Sequence, residues 1–337
     1  MPSNRNALFY LFVAVGVMAL SNCAAVADEP TDEAAKAAQR PKIVKQGTID
    51  IKLVETQPIV FNDKLYRLEA VRGNYPKNEH GKPYLRFVNV ATGEFTPPFA
   101  EHHDLSCALV VDDTMYVAAT PGWGASRIDL FWSKDLKHWE TATAIELPGW
   151  KLFNTSMCRD DKRFVMAIEV GEPVEVVGQA FTNRFAVSND MRKWEILPEP
   201  AVFTKEKYSA CPAIRWIDGW YYMTYLEAIG DYRFNTFLVR SRDLAKWEAS
   251  PLNPVIQFED DIDKQIANEK FTDAEREEIA KALDRNNSDF DLCQWQGKVM
   301  ISYSWGDQVG NEFLAQATYD GTLEEFFAGF FPKGESK

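Results

Sequence analysis

An all-β chain folded as a five-bladed β-propeller, with a short helical insertion between blades four and five, is the architecture the sequence predicts. Three observations predict it. Ser133, Asp135, Leu136, Trp139 and Glu140 recur as Ser188, Asp190, Met191, Trp194 and Glu195, and again as Ser241, Asp243, Leu244, Trp247 and Glu248. The copies start roughly 50–55 residues apart, a period that marks stacked supersecondary units. Each copy lies between strand-like runs of aromatic and β-branched residues broken by short polar turns, which is hairpin patterning. The composition, 46% hydrophobic and 13% aromatic, is that of a globular chain and excludes disordered, collagen-like and coiled-coil classes.

The repeat has a local logic. Ser and Asp favour a turn by hydrogen-bonding nearby main chain. Leu or Met folds beneath that turn, and Trp starts the next strand and packs between units. The opening of each unit is also shared: an apolar strand, a polar turn and an aromatic-rich strand. Residues 105–119, 157–169 and 211–227 carry it in blades two, three and four. Residues 58–69 and 290–305 carry it without the Ser-Asp-Leu motif and supply blades one and five.

The segment 259–285 breaks the pattern. Thr272 and Glu275 form a capping box. Ile279, Ala280 and Leu283 follow at helical spacing, so a helix is expected over about 273–284, with a shorter one before it.

Residues 1–27 read as a secretion signal: Arg5, an apolar run over 7–20, and small residues ending at Ala27, where cleavage is expected. Lipid attachment at Cys23 is the alternative. The run is short for a membrane span, which needs about 20 residues. A secreted or periplasmic protein is expected, with a linker over 28–46, the propeller over 47–332 and a tail over 333–337. Cys107, Cys158, Cys211 and Cys293 fit no metal or redox spacing. They are expected as small buried residues on inner strands, with a disulfide between neighbouring strands as the alternative in an exported chain. The net charge of −13 disfavours nucleic acid and anionic lipid as partners, since both need a basic face.

The repeats and strand openings resemble the five-bladed β-propeller glycoside hydrolases, families 32, 43, 68, 117 and 130 and their unassigned relatives, over about residues 47–332. The block from Asn286 to Cys293, with Tyr303, Trp305 and Gly306 after it, is similar to a bacterial subgroup of these. The resemblance implies a carbohydrate substrate and hydrolysis of O-glycosidic bonds by carboxylates at the top of the central channel. One departure is plain. Where family members carry an Asp-Pro in blade one, this chain has Gln57 and Pro58, and blade four has Cys211 and Pro212. The usual base is therefore not carried over.

Glycoside hydrolysis needs one acid and one base or nucleophile. In a blade, starts of first strands and ends of second strands share one face of the molecule. Strand starts offer Asp104, Asp289 and Asp291; strand ends offer Glu69, Glu169 and Glu227. A carboxyl leaving an apolar strand should have a raised pKa. Glu169 or Glu227 is the expected acid and Asp289 or Asp291 the base or nucleophile, the two Asp side chains pointing the same way at i and i+2. Glu69, His103, Asp104, Arg72, Trp123 and Trp305 are candidate substrate contacts, the tryptophans as stacking platforms. Lone arginines such as Arg72, Arg184, Arg215 and Arg233 either hold an anionic sugar group or satisfy surface carboxylates.

No cofactor is expected. A three-histidine metal site is excluded by count, because His80 and His138 lie in turns and only four histidines exist. A structural channel ion such as calcium, held by His103 and Asp104 with further carboxylates, is the exception. Two other functions compete: a glycan-binding propeller without turnover, and a glycoside phosphorylase, which would need a basic cluster beside the acid.

Overall fold

A computed structural model of the protein describes residues 32–332. The signal segment, Cys23 and the tail 333–337 lie outside them. Within the expected linker, the alanine-rich Asp32–Gln39 forms a helix, α1. The remainder is strand-dominated. Blade one holds β2 (Gln57–Phe61), β3 (Lys64–Val71) and β4 (Tyr84–Asn89), preceded in the chain by β1 (Val44–Ile51). Blade two holds β5 (Asp104–Val111), β6 (Thr114–Thr120), β7 (Arg127–Ser133) and β8 (Glu140–Glu146). Blade three holds β9 (Lys151–Arg159), β10 (Phe164–Glu172), β11 (Thr182–Ser188) and β12 (Glu195–Ile196), with the short α2 (Val174–Val177) between β10 and β11. Blade four holds β13 (Ala210–Ile217), β14 (Trp220–Ala228), β15 (Phe234–Ser241) and β16 (Trp247–Ala249). After α3 (Asp260–Asp263) and α4 (Asp273–Lys281), blade five holds β17 (Asn286–Trp295), β18 (Lys298–Gly306) and β19 (Glu312–Asp320), and α5 (Leu323–Gly329) follows.

Neighbouring strands within each blade pair antiparallel. In blade one, isolated bridges from Leu85 to Phe99 and Val88 to Phe95 take the place of a fourth strand. In blade five the fourth strand is β1, which pairs with β19 from Val44 opposite Thr318 to Ile51 opposite Phe313. The first described strand thus completes the last blade.

The repeat motif folds as its chemistry suggests. Ser133 Oγ accepts from the Leu136 amide at 2.9 Å, and Asp135 Oδ1 accepts from the amides of Lys137 and His138 at 2.8 and 2.9 Å. Asp190 and Asp243 repeat the pattern. Leu136, Met191 and Leu244 lie buried under these turns. The repeat tryptophans pack onto the preceding blade: Trp139 stacks on Phe99 at 3.9 Å between centroids, and Trp247 stacks on Phe185 at 5.4 Å.

The first strands β2, β5, β9, β13 and β17 meet in a closed ring, each touching the next and β17 returning to β2. Side chains tie four of the joints directly, and the fifth is bridged from the second strand β18. Gln57 Nε2 donates to Ala108 O at 3.1 Å, and the Ala108 amide donates back to Gln57 Oε1. Thr155 Oγ1 donates to Cys107 Sγ at 3.2 Å, and Ser156 Oγ accepts from the Ile214 amide at 3.0 Å. Arg215 donates to Asp291 and to Leu292 O. Ser302 Oγ donates to Thr56 O at 2.7 Å. Cys107, Cys158, Cys211 and Cys293 all sit on these inner strands as free thiols, so the disulfide alternative does not hold.

The insertion carries both expected helices, and the capping box of Thr272 and Glu275 starts α4. It presses on blade five rather than on the axis. Asp263 is fully buried and accepts from Lys45 Nζ at 2.9 Å, Asn287 Nδ2 at 3.1 Å and the Tyr303 hydroxyl at 2.6 Å. Gly47, at φ +92°, lies so close to Gln265 O that a Cβ there would come within 2.3 Å of it. No helix among the described residues is long and apolar enough to cross a membrane.

Replacing Gln57 by Leu strands the Ala108 amide and carbonyl in the ring. Unfolding in urea should show a loss of roughly 1–3 kcal/mol, and an unchanged midpoint would contradict the clamp.

Candidate active site

At one end of the ring the first strands do not run straight. Pairing shifts register between Asp104 and Cys107, between Ala210 and Ala213, and between Ser288 and Asp291. In these shifts Leu105, Cys211 and Asp289 all take φ near +50°, and Glu55, just ahead of β2, takes +55°. Such backbone is unfavourable for residues other than glycine and often marks a functional site. Blade three has its own shift, across Leu152 to Thr155 opposite β10. The five irregularities surround a small axial cavity of about 30 Å³ lined by Glu55, Gln57, Ser106, Asn154, Cys211, Asp289 and Asp291, among others. Every blade contributes.

Glu169, near the end of β10, faces the blade-three shift. Its side chain is 3% exposed. Oε2 accepts from the Cys211 amide at 2.7 Å and from Asn154 Nδ2 at 3.1 Å. Burial pushes its pKa up to about 7, against the pull of those two donors, and the charge of Asp289 adds to the rise. No cation neutralises it in these contacts. Asp289 faces the Cys211 thiol and accepts weakly from Ser288 Oγ at 3.4 Å. That thiol is held protonated by burial, then by Asp289, Glu169 and Glu55.

Arg72 is the hub of a second group. It reaches Glu55 at 2.8 Å, Glu312 at 3.2 Å and Asp104 at 3.7 Å. Burial still raises all three carboxyls, Glu55 most strongly, despite the opposing pull of Arg72. Asp289 pushes Glu55 and Glu312 up further. Three carboxyls thus gather around one guanidinium, with Glu169 and Asp289 nearby, and burial favours the protonated form of Glu55, Asp104, Glu312 and Glu169.

Glu169, Asp289, Asp104 and Arg72 are therefore brought together. Asp291 borders the cavity, but its carboxylate is committed to Arg215 in the ring clamp. The register shift breaks the i, i+2 alternation that would have aimed both Asp residues alike. Glu69 is buried between Arg67 at 2.5 Å and Arg86 at 2.7 Å, within blade one. Glu227 is held by Lys207 at 2.6 Å and the Tyr225 hydroxyl at 2.5 Å. His103 Nε2 meets Asp129 at 2.9 Å while Asp104 turns to Arg72, so the two do not converge on an ion. Among the described residues no three His, Cys, Asp or Glu side chains are arranged to hold a metal. Trp305 is fully buried, stacks on Phe313 and donates to Thr48 Oγ1, so it offers no face to a sugar. Trp123 is 59% exposed and rests edge-on against Phe153.

Sequence reasoning missed Glu55, Glu312, Asn154 and Tyr208. The start-of-first-strand rule reaches Glu55 once Gln57 is set aside. Glu312 begins a third strand, which the rule did not consider although third strands start at the same end. Tyr208 lies beside the cluster: burial raises its hydroxyl pKa well above the usual value, and Cys211, Glu169 and Asp289 add to the effect.

The fold is that of the five-bladed propeller glycoside hydrolases. The Podospora anserina α-L-arabinofuranosidase in complex with cellotriose superposes with a TM-score of 0.58 at 7% identity, over 84% of this chain and 98% of that one. The xylan β-1,4-xylosidase from Bacillus halodurans C-125 gives 0.54 at 13% identity, over 82% of this chain and 54% of that one. An exo-1,5-α-L-arabinanase from a bovine ruminal metagenomic library gives 0.52 at 11% identity, over 81% and 93%. No protein-family model matches the chain, and no curated protein matches it by sequence.

The raised Glu169 pKa is also a stability statement. The folded protein keeps a proton that the unfolded chain loses above 4.5, the usual value, so this carboxyl's contribution falls as pH climbs to about 7 and is flat beyond. Relative to wild type, Glu169→Gln should gain up to about 3 kcal/mol across that window in denaturant unfolding. A difference independent of pH would contradict the burial argument.

Proposed function

We propose that this protein is an exported glycoside hydrolase that cleaves O-glycosidic bonds in an oligo- or polysaccharide. Glu169 is the general acid: its carboxyl gives a proton to the leaving glycosidic oxygen as the bond to the anomeric carbon breaks. Asp289 is the base or nucleophile, attacking that carbon or taking a proton from the water that does. The observation that carries this reading is the buried Glu169 carboxyl, held only by the Cys211 amide and Asn154 and pushed up to about 7 by burial, with the charge of Asp289 adding to the rise. A general acid works best when its pKa lies near the working pH. Export rests on the signal-like residues 1–27. The structural relatives, named as arabinofuranosidase, xylosidase and arabinanase, support a glycosidic substrate.

Arg72 acts as a positioning residue, holding Glu55, Asp104 and Glu312 around its guanidinium. One observation favours the competing reading of a glycan-binding propeller. Gln57, at the place of the family's Asp, spends its amide on the Ala108 main chain and is not free for chemistry.

Glu169→Gln and Asp289→Asn should each lower kcat/KM on a natural glycoside by about 10²–10⁴ while circular dichroism stays unchanged. Glu169→Gln should be largely spared on a dinitrophenyl glycoside, whose leaving group needs no proton. Near-wild-type turnover in both variants would remove the assignment. Saturable binding by the wild type with no product from any of a broad glycan panel would favour the binding reading.

A further inference from the structure

Trp123 does not stand alone beside the site. Its ring meets Phe153 at 5.0 Å between centroids, Phe153 meets Phe181 at 5.0 Å, and Phe181 meets Tyr208 at 5.8 Å. Tyr208 continues to Phe234 at 5.7 Å. The arc therefore crosses from the β6–β7 loop of blade two to the start of β15 in blade four. It passes the catalytic pair, because Tyr208 feels the charges of Glu169 and Asp289. Phe153 is buried beneath the arc, while Phe181, Tyr208 and Phe234 are half-buried. Gly171 keeps Phe153 in place: a Cβ there would come within 2.7 Å of the phenyl ring.

The arginines offered for an anionic sugar group are all engaged. Arg72 holds Glu55, Asp104 and Glu312, and Arg215 holds Asp291. Arg184 donates to the carbonyls of Asn183 and Val176, and Arg233 pairs with Asp231. The lysines flanking the arc, Lys151 and Lys207, pair with Glu172 and Glu227. A carboxylate or sulfate on the ligand would meet Glu55, Asp289 and Asp291 with the nearby cations already taken.

From these two observations, and resting on the glycosidase reading, we infer that the site takes an uncharged glycan chain several sugars long, laid along the arc from Tyr208 to Trp123. Apolar sugar faces suit aromatic rings that are apolar on the face and polar at the tip. Trp123, Phe181 and Tyr208, spaced along the arc over the buried Phe153, span more length than one sugar covers. A uronic-acid chain would bring carboxylates to a buried site whose nearby cations are already paired, which disfavours it.

The test is calorimetric binding to Glu169→Gln protein, in which cleavage is blocked. The probes are arabino-, xylo- and cello-oligosaccharides of increasing length, with oligogalacturonides as the anionic control. Affinity for at least one neutral series should rise at least about tenfold from monomer to the longest member, and oligogalacturonides should bind at least about tenfold more weakly. Adding Trp123→Ala should flatten the length dependence while sparing the monomer, and Gly171→Ala, which displaces Phe153, should act in the same direction. Binding that ignores length, survives Trp123→Ala, is as tight for oligogalacturonides, or is absent for all three neutral series overturns the inference. Failure of cleavage in the wild type, with length-dependent binding intact, would instead fault the catalytic assignment alone.

Discussion

Five first strands must meet around one axis, and this constraint organises the molecule. Space at the axis is too narrow for large side chains, so the joints are made by small or flat polar groups: Gln57, Thr155, Ser156, the Arg215–Asp291 pair and Ser302. All but Ser302 tie one inner strand to its neighbour; Ser302, on β18, reaches Thr56 just ahead of β2. β1 then closes the circle by completing blade five, and α3 locks that seam through the buried Asp263. The core clusters lie between blades, where the repeat tryptophans and the phenylalanines of adjacent units stack.

The same geometry gathers acidic groups at one end of the ring. Where the inner strands begin, left-handed residues turn Glu55, Cys211 and Asp289 toward the cavity. Carboxyls crowded at low local dielectric cannot all ionise, because burial disfavours charge and like neighbours add to that cost. Arg72 offsets part of it for Glu55, Asp104 and Glu312. Glu169 has only neutral donors, the Cys211 amide and Asn154. Without a cation, burial favours the protonated form of Glu169.

The propeller was legible because its period is written in side chains that do local work. Ser133, Asp135 and their counterparts make the same turn three times, and the tryptophans that follow fill the same inter-blade space. The site was legible in part. Choosing among Glu69, Glu169 and Glu227 depended on neighbours two residues back, which share a strand face: Arg67 neutralises Glu69 and Tyr225 binds Glu227, while Ala167 leaves Glu169 alone. That signal was present in the sequence. The separation of Asp289 from Asp291 was not, since alternation fails wherever register shifts. Trp305 could not be placed from its loop-like context, because its packing on Phe313 and its bond to Thr48 come from distant segments. Glu55 and Glu312 join the site through Arg72, a contact across blades that no local pattern announces.

The central claim is that the closed ring buries Glu169, held by no cation, as a protonated carboxyl beside Asp289. An NMR titration of glutamate side-chain carboxyls, with Glu169 assigned by difference against Glu169→Gln, measures this directly. The account predicts a midpoint near 7, moving down when Asp289 is replaced by Asn. A midpoint near the ordinary carboxyl value of 4.5, indifferent to Asp289, would contradict it.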